Sequence, residues 1–222
     1  MIITNGMNSV DVFTEYQIPL IKQIYNNEIK DFLEISHFSV IIISPDKNAY
    51  IASPSKEFSA NFSEHGLHKY DNTMCPLMYE NLDFYTWAEG YIKVRQKEIR
   101  EVKRMHGLNN GTVFVRRIGD YTLLNCVATK KEDPIMKTLF INNANKILKL
   151  GDYYYNEIIH EIENNRENLI LPKIEIFKPF LDRDIPCLSS YELKRKEDIL
   201  KIKNHSPSKE KNIKLIVDNS SV

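Results

Sequence analysis

The sequence predicts an α+β fold, a three-layer α/β/α sandwich around an antiparallel sheet. Two pairs of β-rich segments carry this prediction, because each pair is joined by a short turn of the kind that links neighbouring strands. Helical patterns precede, separate and follow the two pairs, so the pattern favours local hairpins over strand–helix–strand crossovers. With 222 residues, the chain is long enough for one substantial domain and an appendage.

The first helix is predicted over residues 19–34. Proline is tolerated at the first helical position, and Pro19 occupies that place here. Ile21 and Ile24 begin an apolar stripe at helical spacing. This amphipathic helix is expected to cover one face of the sheet.

Four strands follow from β-branched and alternating segments. Residues 38–44 and 49–53 flank a Pro-Asp-Lys-Asn turn, and residues 111–118 and 121–129 flank the dipeptide Gly119-Asp120. Both turns have the composition that hairpins require. We therefore expect all four segments to pair in one antiparallel sheet.

Two longer helical patterns complete the layers. Residues 82–106 combine an apolar stripe with a basic face, and residues 133–163 form the last long helix, in which Gly151 is expected to introduce a bend. The basic face carries Lys93, Arg95, Lys97, Arg100, Lys103 and Arg104. Because Glu98 and Glu101 are interleaved with these cations, a solvated helix face is favoured over a nucleic-acid surface.

Composition restricts the class of function. Lys and Arg total 30, and Asp and Glu also total 30, so the formal net charge is zero and no global attraction to nucleic acid or anionic membrane is expected. The longest apolar run, residues 40–43, is far shorter than the roughly 20 residues of a membrane span. Cys75, Cys126 and Cys187 are distant and odd in number, which indicates reduced thiols in a cytoplasmic protein.

A candidate binding site lies in residues 53–87. Phe58 and Phe62 are four residues apart on a predicted helix that starts at Ser53, and Asp71 and Trp87 follow. Aromatic walls with one polar group are the usual composition of a small-molecule pocket. The alternative is that the aromatic residues are ordinary core and that Asp71 caps the next segment.

No pattern in the sequence indicates an enzyme. The six histidines show no metal-ligand spacing. His65 and His68 lie near Asp71 and Cys75, but this grouping is a weak signal for a Cys/His or metal site. We therefore predict no catalytic residues, no metal and no cofactor.

The character of the chain changes after residue 170. Pro172, Pro179 and Pro186 interrupt the backbone, so residues 171–187 are interpreted as a linker after a domain of residues 1–170. Residues 188–222 form a tail with one charged helical pattern, too short for an independent domain.

Together these features resemble the ligand-sensing half of LuxR-type transcription regulators, the bacterial quorum-sensing family whose autoinducer-binding domain is a PAS-like α/β/α sandwich that holds acyl-homoserine lactones. The matching positions are Phe58, Phe62, Asp71, Trp87 and Gly111. The resemblance covers about residues 10–165 and implies that Phe58, Phe62, Asp71 and Trp87 bind a ligand. From Leu188, the sequence LSSYELKRKEDILKI resembles the opening of the family's helix-turn-helix, but the sequence stops where a recognition helix would begin.

Two departures from the family pattern affect the ligand. Phe58 and Phe62 stand where the family has aromatic residues with a polar hydrogen, and Asn72 replaces the proline after the aspartate. A buried carbonyl without a donor costs about 1–3 kcal/mol, which argues against acyl-homoserine lactone. The expected ligand is an apolar-bodied small molecule that carries an amide or a hydroxyl.

The leading hypothesis is thus a LuxR-like sensor or regulatory protein that lacks a complete DNA-binding module. Its partners would be the small molecule, a protein or a second copy of the chain, with no strong DNA binding and no membrane span. The alternative is a non-enzymatic interaction protein, such as a bacterial effector delivered to a host cell, that uses the sandwich as a scaffold. A cavity bordered by Asp71 would favour the sensor, and a filled core would favour the scaffold.

Overall fold

The computed structural model describes residues 4–30, 32–166 and 169–174. Six strands form one sheet in the order β1-β3-β2-β6-β5-β4. Their bounds are Ser9–Thr14 (β1), His37–Ile43 (β2), Asn48–Ser53 (β3), Phe84–Thr86 (β4), Asn110–Ile118 (β5) and Tyr121–Thr129 (β6). Helices cover both faces of this sheet, so the predicted α+β fold with three layers is confirmed.

The four strands expected from the sequence make the centre of the sheet. β2 pairs antiparallel with both β3 and β6, and β5 pairs antiparallel with β6. Two edge strands were not predicted. β4 adds antiparallel to β5, and β1 adds parallel to β3, so the antiparallel sheet gains one parallel pair at its edge.

Three helices cover the first face: Pro19–Ile24 (α1), Ile135–Asn142 (α5) and Ala144–Asn164 (α6). They share one apolar cluster with the sheet, in which α1 lies against α6. The predicted helix over 19–34 is shorter than expected, because α1 continues as a π-helical turn, Tyr25–Ile29, and Leu33 has a positive φ of 52°. The predicted helix over 133–163 is two helices, separated at Asn143.

Gly151 does not interrupt the last helix, and the bend expected there stays a prediction. It lies inside α6, and a Cβ atom built on it would be 1.9 Å from Oδ1 of Asn125 on β6. The absence of a side chain is therefore what lets α6 approach the sheet so closely.

The second face is covered by Lys56–Glu64 (α2), Pro76–Tyr79 (α3), Gln96–Met105 (α4) and two short 3₁₀ turns, Leu67–Tyr70 and Asn72–Met74. The long helix predicted over 82–106 is wrong for its first half, where β4 and a loop replace it. The Asn72 side chain holds this loop, because it donates to the carbonyl oxygen of Ile92 at 3.0 Å and accepts from the Ile92 N–H at 2.9 Å. These long-range bonds outweigh the helical spacing of the apolar residues.

The packed region continues into the segment interpreted as a linker. Leu171 and Ile174 are buried against the apolar cluster of the first face. Asn156 on α6 donates to the Ile174 carbonyl oxygen at 2.7 Å and accepts from its N–H at 3.2 Å. Residues 175–187 of the predicted linker and the predicted tail, 188–222, lie outside the described residues.

Candidate functional site

A cavity of about 40 Å³ lies between the second face of the sheet and helices α2 and α4. Strands β2, β3 and β6 form its floor. All four residues singled out in the sequence, Phe58, Phe62, Asp71 and Trp87, line this cavity. The structure thus brings together side chains that are spread over thirty residues of sequence, and their role in binding a ligand stays a prediction.

Helix α2 supplies the first aromatic wall. It begins after Ser55, whose hydroxyl accepts a hydrogen bond from the N–H of Phe58, and not at Ser53 as predicted. The rings of Phe58 and Phe62 lie 5.0 Å apart. Phe58 also makes an edge contact with His37 on β2, with ring centroids 5.5 Å apart. The four-residue spacing therefore turns both rings toward the cavity, as the pattern predicted.

Trp87 forms the opposite wall. Its backbone N–H donates to the carbonyl oxygen of Gly111 at 3.1 Å, and its indole ring lies flat against that glycine. A Cβ atom built on Gly111 would be 2.2 Å from Cδ2 of the indole. Glycine at this position is thus a requirement of the close approach between β5 and the tryptophan ring.

Asp71 is buried, with 8% of its surface exposed. Its Oδ1 accepts hydrogen bonds from the Thr73 N–H at 3.0 Å and from Nζ of Lys103 at 3.2 Å. Neither Tyr50 nor Tyr85 is its partner: Tyr50 lies on the other face of the sheet, and the Tyr85 hydroxyl donates to the Thr73 carbonyl oxygen. Asp71 is therefore both a cap of a 3₁₀ turn and half of an internal ion pair.

Lys103 is the main site residue that the sequence did not reveal. It was assigned to the solvated basic face of α4, yet only 5% of its surface is exposed. Its Nζ lies 3.9 Å from the centroid of the Trp87 ring and 5.7 Å from that of Phe62. Its spacing could have indicated this burial, because Lys103 follows the buried Ile99 by four residues and so lies on the same helical face.

Burial sets the protonation of the other titratable groups around the cavity. Burial lowers the pKa of His37 to about 4, with smaller electrostatic contributions from Lys103 and His106. Burial also lowers the pKa of His68, although the charge of Asp71 opposes this effect. The pKa of the Cys126 thiol is raised to about 12, again mainly by burial. At neutral pH the cavity is therefore bordered by neutral imidazoles, a neutral thiol and one ion pair.

Two polar groups of the lining residues have no hydrogen-bond partner within the described part of the chain. They are Oγ1 of Thr73 and Nε1 of Trp87, and both are inaccessible to solvent. Buried polar groups in proteins are satisfied in the great majority of cases, by protein, water or ligand. Both atoms need a side-chain movement to become exposed to the cavity, and the Trp87 N–H would then require a hydrogen-bond acceptor on a bound molecule.

The weak Cys/His grouping of the sequence is not assembled into a site. His65 is exposed, His68 contacts the hydroxyl of Ser63 at 3.2 Å, and Cys75 belongs to an apolar cluster with α3. Over residues 4–30, 32–166 and 169–174, no group of three or more His, Cys, Asp or Glu side chains is placed to hold a metal ion. In the same residues no helix has both the length and the apolar character of a membrane span.

No family model and no curated protein matches the chain. Among solved structures, it is similar to SdiA in complex with octanoyl-rac-glycerol, with a TM-score of 0.48 and 13% identity over 84% of this chain and 82% of that one. Escherichia coli SdiA in the space group P6522 gives a TM-score of 0.48 and 14% identity, covering 82% of this chain and 84% of the other.

A third similar structure is the N-acylhomoserine lactone dependent LuxR family transcription factor CepR2 from Burkholderia cenocepacia. Its TM-score is 0.46 and its identity 6%, over 63% of this chain and 95% of that one. CepR2 is of the family that the sequence resembles. These likenesses concern the fold, and they carry no argument about the ligand of this chain.

Proposed function

We propose that the chain is a LuxR-like sensor or regulatory protein that binds a small molecule in the cavity between the sheet and helices α2 and α4. The observation that supports this proposal is the pair of buried, unpartnered groups, Thr73 Oγ1 and Trp87 Nε1, on residues that line the cavity. Such groups cost about 1–3 kcal/mol each when left without a partner. A bound molecule would supply the missing partners.

The same groups suggest the chemistry of the ligand. The Trp87 N–H is only a donor, so it requires an acceptor oxygen or nitrogen on the ligand. Both contacts of Asp71 go to Oδ1, and within the described residues Oδ2 accepts no hydrogen bond. An amide or a hydroxyl group satisfies both needs, because each carries a donor and an acceptor.

The size of the cavity supports the alternative function. A volume of about 40 Å³ holds only a few water molecules, whereas pockets for drug-sized ligands measure roughly 300–1,000 Å³. A larger ligand therefore requires α2 or the loop between β4 and α4 to move. If neither moves, the sandwich is a scaffold for interaction with another protein, in a bacterial cytoplasm or in a host cell.

We do not expect this chain to act by binding DNA tightly and sequence-selectively. The formal net charge is zero, and residues 188–222, which resemble the opening of a helix-turn-helix, lie outside the described residues. Binding to duplex DNA should stay in the non-specific range, roughly 10⁻⁴ to 10⁻⁶ M at physiological salt.

Native mass spectrometry of the chain purified from cells tests the proposal that it binds a small molecule. We expect a native mass above the denatured mass, from a bound molecule that is lost on unfolding. The double variant Thr73→Val and Trp87→Phe removes both unpartnered groups and keeps an aromatic ring at position 87, and it should lose the extra mass. Thr138→Val, at an exposed position on α5, is the matched control and should retain it. Equal native and denatured masses for the unaltered chain would favour the scaffold.

A further inference from the structure

The ammonium group of Lys103 is enclosed by three groups from three separate parts of the chain. Asp71, after the first 3₁₀ turn, contacts Nζ at 3.2 Å. The Trp87 ring, after β4, lies 3.9 Å from Nζ, and the Phe62 ring, on α2, lies 5.7 Å away. Aromatic faces together with a carboxylate are the groups that proteins use to bind alkylammonium cations.

This enclosure differs from the surface ion pairs of the same molecule. Lys47 and Glu80 lie 2.6 Å apart, but their side chains are 41% and 49% exposed, so water hydrates both charges. The side chains of Lys103 and Asp71 are only 6% and 12% exposed. A buried ammonium loses its hydration and persists only where other groups replace the water. Here the carboxylate and the two aromatic rings stand in the place of that water.

We propose that Phe62, Asp71 and Trp87 form an alkylammonium-binding site that the chain fills with its own Lys103 side chain. The site binds a free primary alkylammonium ion when that side chain is removed. This inference goes beyond the proposed sensor and needs no natural ligand. It also explains why the cavity is small, since the lysine chain occupies the space in front of the carboxylate and the indole.

The test uses Lys103→Ala, which deletes a propylammonium fragment from Cγ to Nζ. Adding n-propylammonium chloride at millimolar concentration should refill the site and raise the unfolding midpoint of this variant by at least about 2 °C. Trp87 is the single tryptophan of the chain, so its fluorescence should change with the same saturating dependence on the amine.

Three controls isolate the site. Propan-1-ol has a similar size without the charge and should not reproduce the effect. The unaltered chain should not respond, because Lys103 already fills the site. Lys97→Ala removes an exposed lysine from the same helix, and it should also not respond. An equal response of all three proteins to n-propylammonium, or of none, overturns the proposal.

The measurement remains decisive if Lys103→Ala does not fold alone. The variant is then diluted from urea into n-propylammonium chloride or into propan-1-ol. Recovery of folded chain only with the amine supports the site, and recovery with neither or with both overturns it. Lys103→Met, whose side chain fills the space, should not respond to the amine. Because no natural ligand is involved, this test and the native mass measurement can fail independently.

Discussion

Both faces of the sheet bury polar groups that have no hydrogen-bond partner among the described residues, but the surroundings of these groups differ. On the α6 face, Asn125 and the Tyr154 hydroxyl have no partner among the described residues, and Asn125 is pressed against Gly151. On the other face, the residues that carry such groups, Thr73 and Trp87, line a cavity. An unpartnered group in close packing is a local cost in stability, whereas one beside a cavity is available to a bound molecule.

The faces also differ in how far they bury charge. On the α6 face the Asp152 side chain is 13% exposed, but its partner Arg116 is 45% exposed. The α6 face is a continuous cluster of isoleucine and aromatic side chains that draws on both hairpins and three helices. The cavity face encloses an ion pair and two histidines. We infer that the α6 face supplies most of the stability. The cavity face has less apolar packing, because polar side chains occupy part of it.

The largest expected effect concerns pH and the cavity face. His37 has a pKa of about 4 in the folded chain against 6.5 as its ordinary value, so the unfolded chain takes up a proton first as the pH falls. The free energy of unfolding is therefore highest above pH 6.5 and decreases toward pH 4, by about 3 kcal/mol for this group. Urea unfolding at several pH values measures the decrease.

Substitution separates this effect from that of the carboxylates. His37→Gln should show a decrease between pH 6.5 and pH 4 that is smaller by about 3 kcal/mol. His65→Gln, at an exposed position, should follow the unaltered chain. Identical pH profiles for all three proteins would show that His37 is not buried in its neutral form.

The second prediction compares a glycine on each face. Gly151→Ala should cost about 1–3 kcal/mol of unfolding free energy, because its Cβ would overlap Asn125, which has no exposed surface. Gly111→Ala should cost less, about 1 kcal/mol, because the overlapping Trp87 ring is only half-buried and is less confined than Asn125. Urea unfolding gives both values.

Fluorescence distinguishes the two glycine variants further. Gly111→Ala should alter the emission of Trp87, whereas Gly151→Ala should leave it unchanged. Lys146→Ala, an exposed change on α6, controls for the helix itself. A larger loss for Gly111→Ala than for Gly151→Ala would reverse our view of which face is the more tightly packed.

The smallest expected effect compares two buried tyrosines. Tyr85→Phe removes a hydroxyl that donates to the Thr73 carbonyl oxygen, and it should lower the unfolding free energy by about 1 kcal/mol. Tyr154→Phe removes a hydroxyl without a described partner, and it should cost nothing or add up to about 1 kcal/mol. A comparable loss for Tyr154→Phe, measured by urea unfolding, would reveal a bound water on the α6 face.

Much of the sheet was predictable because hairpins are local. The strands β2, β3, β5 and β6 each carry a β-rich run next to a recognisable turn. β1 was not predicted, since it is an edge strand in which only Phe13 and Thr14 are buried. β4 was missed because Trp87 and Tyr91 happen to follow at helical spacing, and the bonds from Asn72 that prevent the helix are long-range.

Part of the site was predictable because a single helix carries two of its residues. Phe58 and Phe62 follow from the four-residue period, and the structure adds Asp71 and Trp87 to the same cavity. Lys103 was placed wrongly, because a lysine on a charged helix is normally solvated. Its burial depends on Asp71, which is 32 residues away in sequence, and periodicity within a helix contains no information about such a partner.

The segments that cover the two faces of the sheet are separate in the sequence as well as in space. The wall of the cavity is one uninterrupted stretch, from the end of β3 at Ser53 to the start of β5 at Asn110, and both points lie at the same end of the sheet. The helices of the other face come from before β2 and after β6. Mutation or recombination within this single segment can therefore change the lining of the cavity, while the opposite layer of helices remains unaltered.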